Sequence, residues 1–155
     1  MMRNVGFPEG LPITEDEIEK KLLDQPDSDL DRLLVVILKT TGNTIGECKM
    51  YTPDEEGVSE TDVKLLPEYW GNGYGREIKS GLLDQLFART DCECVQATPN
   101  VKNTASIRMQ EAVGGLRTGE DTCRFPEEMR SFTVPVRHYI YRVYREAWEN
   151  RETKE

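Results

Sequence analysis

His138 is the only histidine in this sequence of 155 residues, and the four cysteines are not spaced as metal ligands. A structural zinc site needs pairs of Cys or His at short, matched separations. Cys92 and Cys94 have one residue between them and no second pair, so no metal is expected. In a strand the two would share a face, and the simplest reading makes them small buried hydrophobes. Long apolar runs are also missing. Nothing approaches the ~18 residues of a membrane span, and no charged-then-apolar leader precedes a small-residue cleavage site. A cytoplasmic location with no membrane association is therefore the expectation. Basic residues are scarce, 20 against 29 acidic ones, for a net charge of −9. Such a chain is a poor partner for nucleic acid. Its field favours a cationic partner, an amine or a basic peptide, although the same charge also serves plain solubility. With no repeats and no low-complexity segment, residues 1–155 read as one domain with a single substantial core.

What is present centres on Glu60 to Phe87, ETDVKLLPEYWGNGYGREIKSGLLDQLF. Thr61, Val63 and Leu65 alternate with Asp62, Lys64 and Leu66, the period of a half-buried strand. Pro67 ends that strand because it has no N–H for the ladder. Gly71, Gly73 and Gly75 follow at alternate positions. Ile78, Leu82, Leu83, Leu86 and Phe87 then form one apolar stripe of a helix. A glycine-rich turn opening a helix is suited to an anion, since the first N–H groups are unpaired and the helix dipole adds positive potential. The spacing matches neither a Walker loop nor the dinucleotide fingerprint G-x-G-x-x-G. A plain flexible connection remains the alternative.

The rest of the chain supports an α/β arrangement. Thr14 and Glu17 form a capping box for a short helix with Ile18, Leu22 and Leu23 along one stripe. Leu33 to Leu38 reads as a buried strand. Thr41-Gly42-Asn43 turns into a second strand, Thr44 to Tyr51, and the acidic turn Pro53 to Gly57 leads back to the central one. Cys92 to Thr98 should lie parallel beside Val63 to Leu66, closing a βαβ unit. Asn103 is suited to cap the next helix, whose buried stripe is expected to be Ala105, Met109, Ala112 and Val113. Gly114-Gly115 ends it. Leu116 to Phe125 and Phe132 to Val143 close the sheet, and a short tail helix is expected to carry Tyr141, Tyr144 and Trp148.

LPEYWGNGYGREI (Leu66 to Ile78) resembles the acetyl-CoA pyrophosphate loop of the GNAT N-acetyltransferase superfamily, [RQ]-x-x-G-x-[GA]. PNVKNTASIRMQEAVGG (Pro99 to Gly115) is similar to the N-x-x-N-x-x-S-x-x-x-x-E-x-x-G segment of the branch of the ribosomal-protein N-terminal acetyltransferases, with Asn100, Asn103, Ser106, Glu111 and Gly114 in register. Two motifs in the right order are more selective than either alone. The resemblance spans residues 33–148, and 1–31 are atypical. It implies a single-domain acyl-CoA N-acyltransferase fold, a mixed and mostly antiparallel sheet flanked by helices. The family's N-terminal strand is expected to be short or missing, so that the acceptor side is open or completed by a second subunit of a homodimer.

The resemblance also implies roles. Acetyl-CoA is the cosubstrate, with no metal, and the acceptor is a cationic amine or a peptide N-terminus. Leu65 and Leu66 would meet the pantetheine, and the N–H of Leu65 would bind the oxyanion. Trp70, Gly71, Asn72, Gly73, Tyr74, Gly75 and Arg76 would wrap the pyrophosphate. Asn103 would bond the pantetheine or merely cap its helix. Glu60 is the first choice of general base, with Glu47 as competitor. Gln110 occupies the position of the superfamily's acidic tyrosine and cannot donate a titratable proton. Ser106 is then the proton relay to the thiolate, or a cap-supporting residue. Gly115 replaces the usual phenylalanine. His138 is read as a core or interface histidine, and Tyr139 and Tyr141 as bordering the site or packing. The expected activity is acetyl transfer to a primary amine. The alternative is a CoA-binding regulatory or interaction module without turnover.

Overall fold

The computed structural model describes residues 2–151. A six-stranded mixed sheet in the order β1-β2-β3-β4-β6-β5 forms its centre. β1 (Leu33–Ile37), β2 (Thr44–Met50) and β3 (Val58–Leu65) make an antiparallel meander. A helix, α2 (Tyr74–Arg89), then crosses to β4 (Cys94–Ala97), which pairs parallel with β3. α3 (Thr104–Ala112) leads to β5 (Leu116–Cys123) and β6 (Val136–Tyr144), both antiparallel in the sheet, and α4 (Arg145–Glu149) follows. The parallel strand–helix–strand unit is the one read from the sequence, but its register differs: β4 pairs with Val58 to Glu60 and does not lie beside Val63 to Leu66. Tyr141 and Tyr144, expected on the tail helix, belong to β6.

α2 covers the core face of the sheet. Leu82, Leu83, Leu86 and Phe87 pack with Cys48, Met50, Cys92, Val95, Val143 and Trp148 in one buried cluster. Cys92 and Cys94 are free thiols inside it or beside it, as expected. The C-terminal end of α2 is held by Arg145, which donates to the carbonyls of Phe87 at 2.7 Å, Thr90 at 2.6 Å and Cys92 at 2.9 Å. A cation there satisfies carbonyls that have no helical donor and meets the negative end of the dipole. Trp148 fixes α4 to α2 through Asp84, at 2.9 Å.

Before the meander lies α1 (Glu15–Leu23), with both bonds of the Thr14–Glu17 capping box formed. Its apolar stripe is not buried. Ile18, Leu22 and Leu23 are all exposed, Leu23 at 79 %.

Two further expectations change, and the missing first strand is as expected among the described residues. β1 is an edge strand rather than a buried one: Leu34 and Val36 face the core, whereas Val35 is 61 % and Ile37 57 % exposed. An unbroken apolar run does not distinguish a strand covered on both faces from one covered on a single face. In α3, Ala105 and Ala112 are exposed and Met109 half-buried, while Gln110 and the following Val113 are the buried side chains. The small-residue face of α3 borders a cleft instead of the core. At the amino end, residues 2–5 form a 3-10 turn, and no strand precedes β1 among the described residues; Met1 lies outside them. Phe7 packs on Phe125 and Phe132, with centroids 5.2 and 6.2 Å away. The Asn4 carbonyl accepts from Asn100 Nδ2 at 3.0 Å, so this segment is tied to the β4–α3 side of the molecule.

Among the described residues no helix is long and apolar enough to cross a membrane, and no group of three His, Cys, Asp or Glu is placed to hold a metal.

Candidate active site: a cleft where two strands part

β3 and β4 pair over only three positions, Val58–Cys94 to Glu60–Gln96. Beyond them β3 runs on to Leu65 against β2, while β4 turns away with β6. The gap opens into a cleft of about 590 Å³, within the range of small-molecule sites. Its walls are the open half of β3, the start of α2, the β4–α3 connection and one face of α3, with Asn4 and Val5 at the rim.

The open half of β3 has a definite polarity. The N–H of Leu66 donates to Ile45 at 2.9 Å, and the Glu60 carbonyl accepts from Tyr51 at 3.0 Å, both on the β2 side. Alternation then directs the N–H groups of Val63 and Leu65 to the side where β4 has departed, that of Thr61 still serving the last β3–β4 pair. Trp70 Nε1 engages the Leu65 carbonyl at 2.8 Å, which ties the loop to the strand end and leaves the Leu65 N–H facing the cleft. Gly46, opposite Leu65, is pressed against this strand. A Cβ there would stand 2.2 Å from the Lys64 carbonyl oxygen.

The loop is shaped by its glycines. Gly73 caps α2 with φ +82°, a left-handed conformation that a side chain resists. Trp70, Gly71, Gly73, Tyr74, Gly75 and Arg76 all border the cleft. Leu65 borders it too, as do Asn103 and Ser106. Asn103 caps α3, its Oδ1 accepting from the Ser106 N–H at 3.2 Å. Arg76 and Arg108 line the mouth and form no ion pair among the described residues. Cations beside a helix N-terminus, in an acidic protein, make this end of the cleft attractive to phosphate.

Three residues expected at the site lie outside the cleft lining. Asn72 turns back and bonds the Tyr69 and Trp70 carbonyls, each at 3.2 Å, bracing the loop. Leu66 has its N–H committed to β2 and its carbonyl to Tyr69 at 3.0 Å. Glu60 stands at the last β3–β4 pair, on the sheet face away from α2, and accepts from Gln96 Nε2 at 3.3 Å. Its competitor Glu47 is paired with Lys64 at 3.2 Å in a small hollow on that same face. His138 lies half-buried, opposite Asp121 on β5 and bridged to Asn100. Tyr141 is buried and donates to Glu111 at 3.0 Å, and burial first, then that carboxylate, raises its pKa. Tyr139 packs under Arg117.

Two residues that the sequence reading did not single out do line the cleft. Asp62 is the only carboxylate in the wall among the described residues. Lys79, on α2, is 1 % exposed and donates to the Thr61 hydroxyl. Burial pushes its pKa down to about 8, with the charges of Asp62 and then Glu60 pulling the other way. A signal for it exists: Lys79 precedes Leu82, Leu83 and Leu86 by three, four and seven residues, so a cation sits inside the apolar stripe.

A family model described as acetyltransferase (GNAT) domain matches residues 1–115. YkkB of Bacillus subtilis (strain 168), described as uncharacterized, is 27% identical over 108 residues, covering 68% of this chain and 58% of that protein. The chain spans about half the length of the curated relatives it matches. A GNAT-family acetyltransferase from Bacillus anthracis superposes with a TM-score of 0.73 at 22% identity, over 92% of this chain and 81% of the other. Aminoglycoside acetyltransferase AAC(6')-Ib in complex with coenzyme A gives 0.61 at 22% identity, over 78% and 70%. These likenesses match the sheet and its flanking helices to the acyl-CoA N-acyltransferase fold. With most of its length matched by the family model, the chain belongs to the acetyltransferase (GNAT) domain family.

Proposed function

We propose that this chain is an acetyl-CoA-dependent N-acetyltransferase that moves an acetyl group to a primary amine by direct attack. The observation that carries the reading is the parting of β3 and β4, which leaves a row of unpaired main-chain N–H groups leading to a glycine-rich helix start. Acetyl-CoA suits that shape. Its diphosphate belongs at Gly71 to Arg76, and the amide-bearing pantetheine runs as an extra strand along β3. The bound coenzyme A of the aminoglycoside acetyltransferase supports the cofactor class.

In the reaction, the amine nitrogen lone pair attacks the thioester carbonyl carbon. The C–N bond forms, the C–S bond breaks, and the thiolate takes a proton. The N–H of Leu65, or that of Val63 one repeat further in, donates to the oxyanion, and the other serves the pantetheine. The attacking amine must first lose a proton. Asp62 is the candidate acceptor, as the one acidic residue in the cleft wall among the described residues, with Lys64 Nζ 3.6 Å from its Oδ2; Glu60, one repeat deeper on the same strand face, is the alternative. Ser106 carries a proton toward the thiolate, directly or through water. The ribosomal-protein branch, a peptide N-terminus as acceptor, a cytoplasmic location and a homodimer belong to the same proposal. The exposed stripe of α1 and the exposed side of β1 supply apolar surface for a second copy.

A reading without turnover is favoured by one observation: Gln110, buried in the wall, cannot titrate. Two experiments separate the readings. A thermal-shift titration with acetyl-CoA, with ATP and NAD as controls, should raise the midpoint by several degrees at 100 times Kd. Release of free CoA thiol with a panel of amines then marks the enzyme. A shift without release sinks the enzyme reading, and no shift sinks the cofactor assignment.

A further inference from the structure

Acetyl transfer makes no use of Lys79. Its ammonium lies in the interior with one neutral acceptor, the Thr61 hydroxyl, and forms no ion pair among the described residues. A buried charge with no close ion-pair partner is costly, and for this one burial outweighs the pull of the Asp62 and Glu60 charges. An apolar residue on the same face as Leu82, Leu83 and Leu86 would avoid that cost.

Its place along the cleft gives the cation a role. Thr61 and Ala97 are the first residues past the last β3–β4 pair, and both line the cleft, so Lys79 marks its closed end. The glycine loop is at the other end, beyond Leu65. A cofactor anchored by its diphosphate at the loop therefore directs its acyl group toward Lys79. With the thioester opposite Val63, two residues of strand, about 7 Å, remain to Thr61. An acetyl methyl leaves that space empty and offers an ammonium nothing.

We propose that the closed end is a carboxylate subsite, and that the preferred donor is an acyl-CoA whose chain ends in a carboxylate, a dicarboxylic monothioester of malonyl to succinyl length. Lys79 Nζ holds one distal oxygen. The Thr61 hydroxyl accepts from Lys79 and so has its own proton to donate to the other. In a site of low dielectric such a pair is strong. The proposal rests on the acyl-CoA reading above and changes only the acyl group. The amine attacks the thioester carbonyl, C–N forms and C–S breaks. One ammonium proton ends on the CoA thiol and a second passes through the base to solvent. The product amide carries a free carboxylate.

The test is calorimetric titration of the full chain with acetyl-CoA, butyryl-CoA and succinyl-CoA, the last two having equal carbon count. Succinyl-CoA should bind at least tenfold tighter than butyryl-CoA, and Lys79→Met should abolish or reverse that preference while butyryl-CoA affinity holds or improves. Lys79→Gln, neutral but polar, is the second variant should the first fail to fold, and it should also lose the preference. Equal or tighter binding of butyryl-CoA by the unaltered chain, or a succinyl preference that survives both variants, overturns the carboxylate subsite and leaves the cofactor assignment standing. Failure of all three esters to bind overturns the cofactor assignment itself.

Discussion

Lys79 and Asp62 approach the cleft from opposite faces of β3, one beneath the strand from α2 and the other above it. Each gives a measurable signature. Unfolded, Lys79 titrates near 10.5; folded, burial brings it down to about 8. Below pH 8 both states hold the proton and the folded state bears a cost of about 3 kcal/mol. Between pH 8 and 10.5 the unfolded chain binds the extra proton, so the stability of the unaltered chain rises with pH, and above 10.5 the cost is gone. Urea unfolding should therefore find Lys79→Met more stable at pH 7, by about 3 kcal/mol less the lost Thr61 bond, with the gap closing by pH 10.5. A gap that does not vary with pH contradicts this account of the lysine. For Asp62 the signature is kinetic. Asp62→Asn should lower kcat/KM for the amine by at least about 100-fold, as expected for loss of a general base, with acyl-CoA affinity unchanged. Glu60→Gln, at the closed pair, should cost less. If Glu60→Gln is the more damaging change, the roles are reversed.

At the scale of elements, two attachments set the cleft. Arg145 ties the end of α2 to three carbonyls, so Arg145→Ala leaves acceptors without donors and should destabilise the fold by about 3 kcal/mol, read as a lowered urea midpoint. Gly46 lets β2 lie close behind Leu65. Gly46→Ala puts a methyl against the Lys64 carbonyl and should weaken acetyl-CoA binding at least tenfold through displacement of β3. A Gly46→Ala chain with unchanged affinity would mean that the strand yields without moving its open edge. Local signals made several elements legible in advance: the Thr14–Glu17 box, the alternation along β3 and the glycines before α2. Neighbourhood was not legible. Whether Val35 faces a layer or solvent depends on what covers the sheet. The small face of α3 looked like core because apolar spacing records amphipathicity and does not specify the neighbour. Lys79 is hidden in the sequence because the leucines around it already complete an apolar stripe. Motif register points to Glu60, whereas Asp62 becomes visible only once the point of strand separation is known.

For the whole molecule, the exposed α1 stripe and β1 side bear on assembly. Sedimentation should find a homodimer that Leu22→Glu with Leu23→Glu converts to a monomer; an unaltered chain that is monomeric at high concentration removes the homodimer from the proposal. The short β3–β4 seam has a mechanical consequence. It joins a three-stranded half, β1-β2-β3, to another, β4-β6-β5, by only three residue pairs within the sheet. A ligand lying along the open edge of β3 completes the missing stitches and makes one continuous plate of two leaves. Amide hydrogen exchange at Val63 and Leu65 should slow sharply when acyl-CoA binds, while Asp62, Lys64 and Leu66, already bonded to β2, and Thr61, bonded across the last β3–β4 pair, change little. The cosubstrate would then be a removable strand of the sheet, and the stiffness of the protein would rise and fall with each turnover.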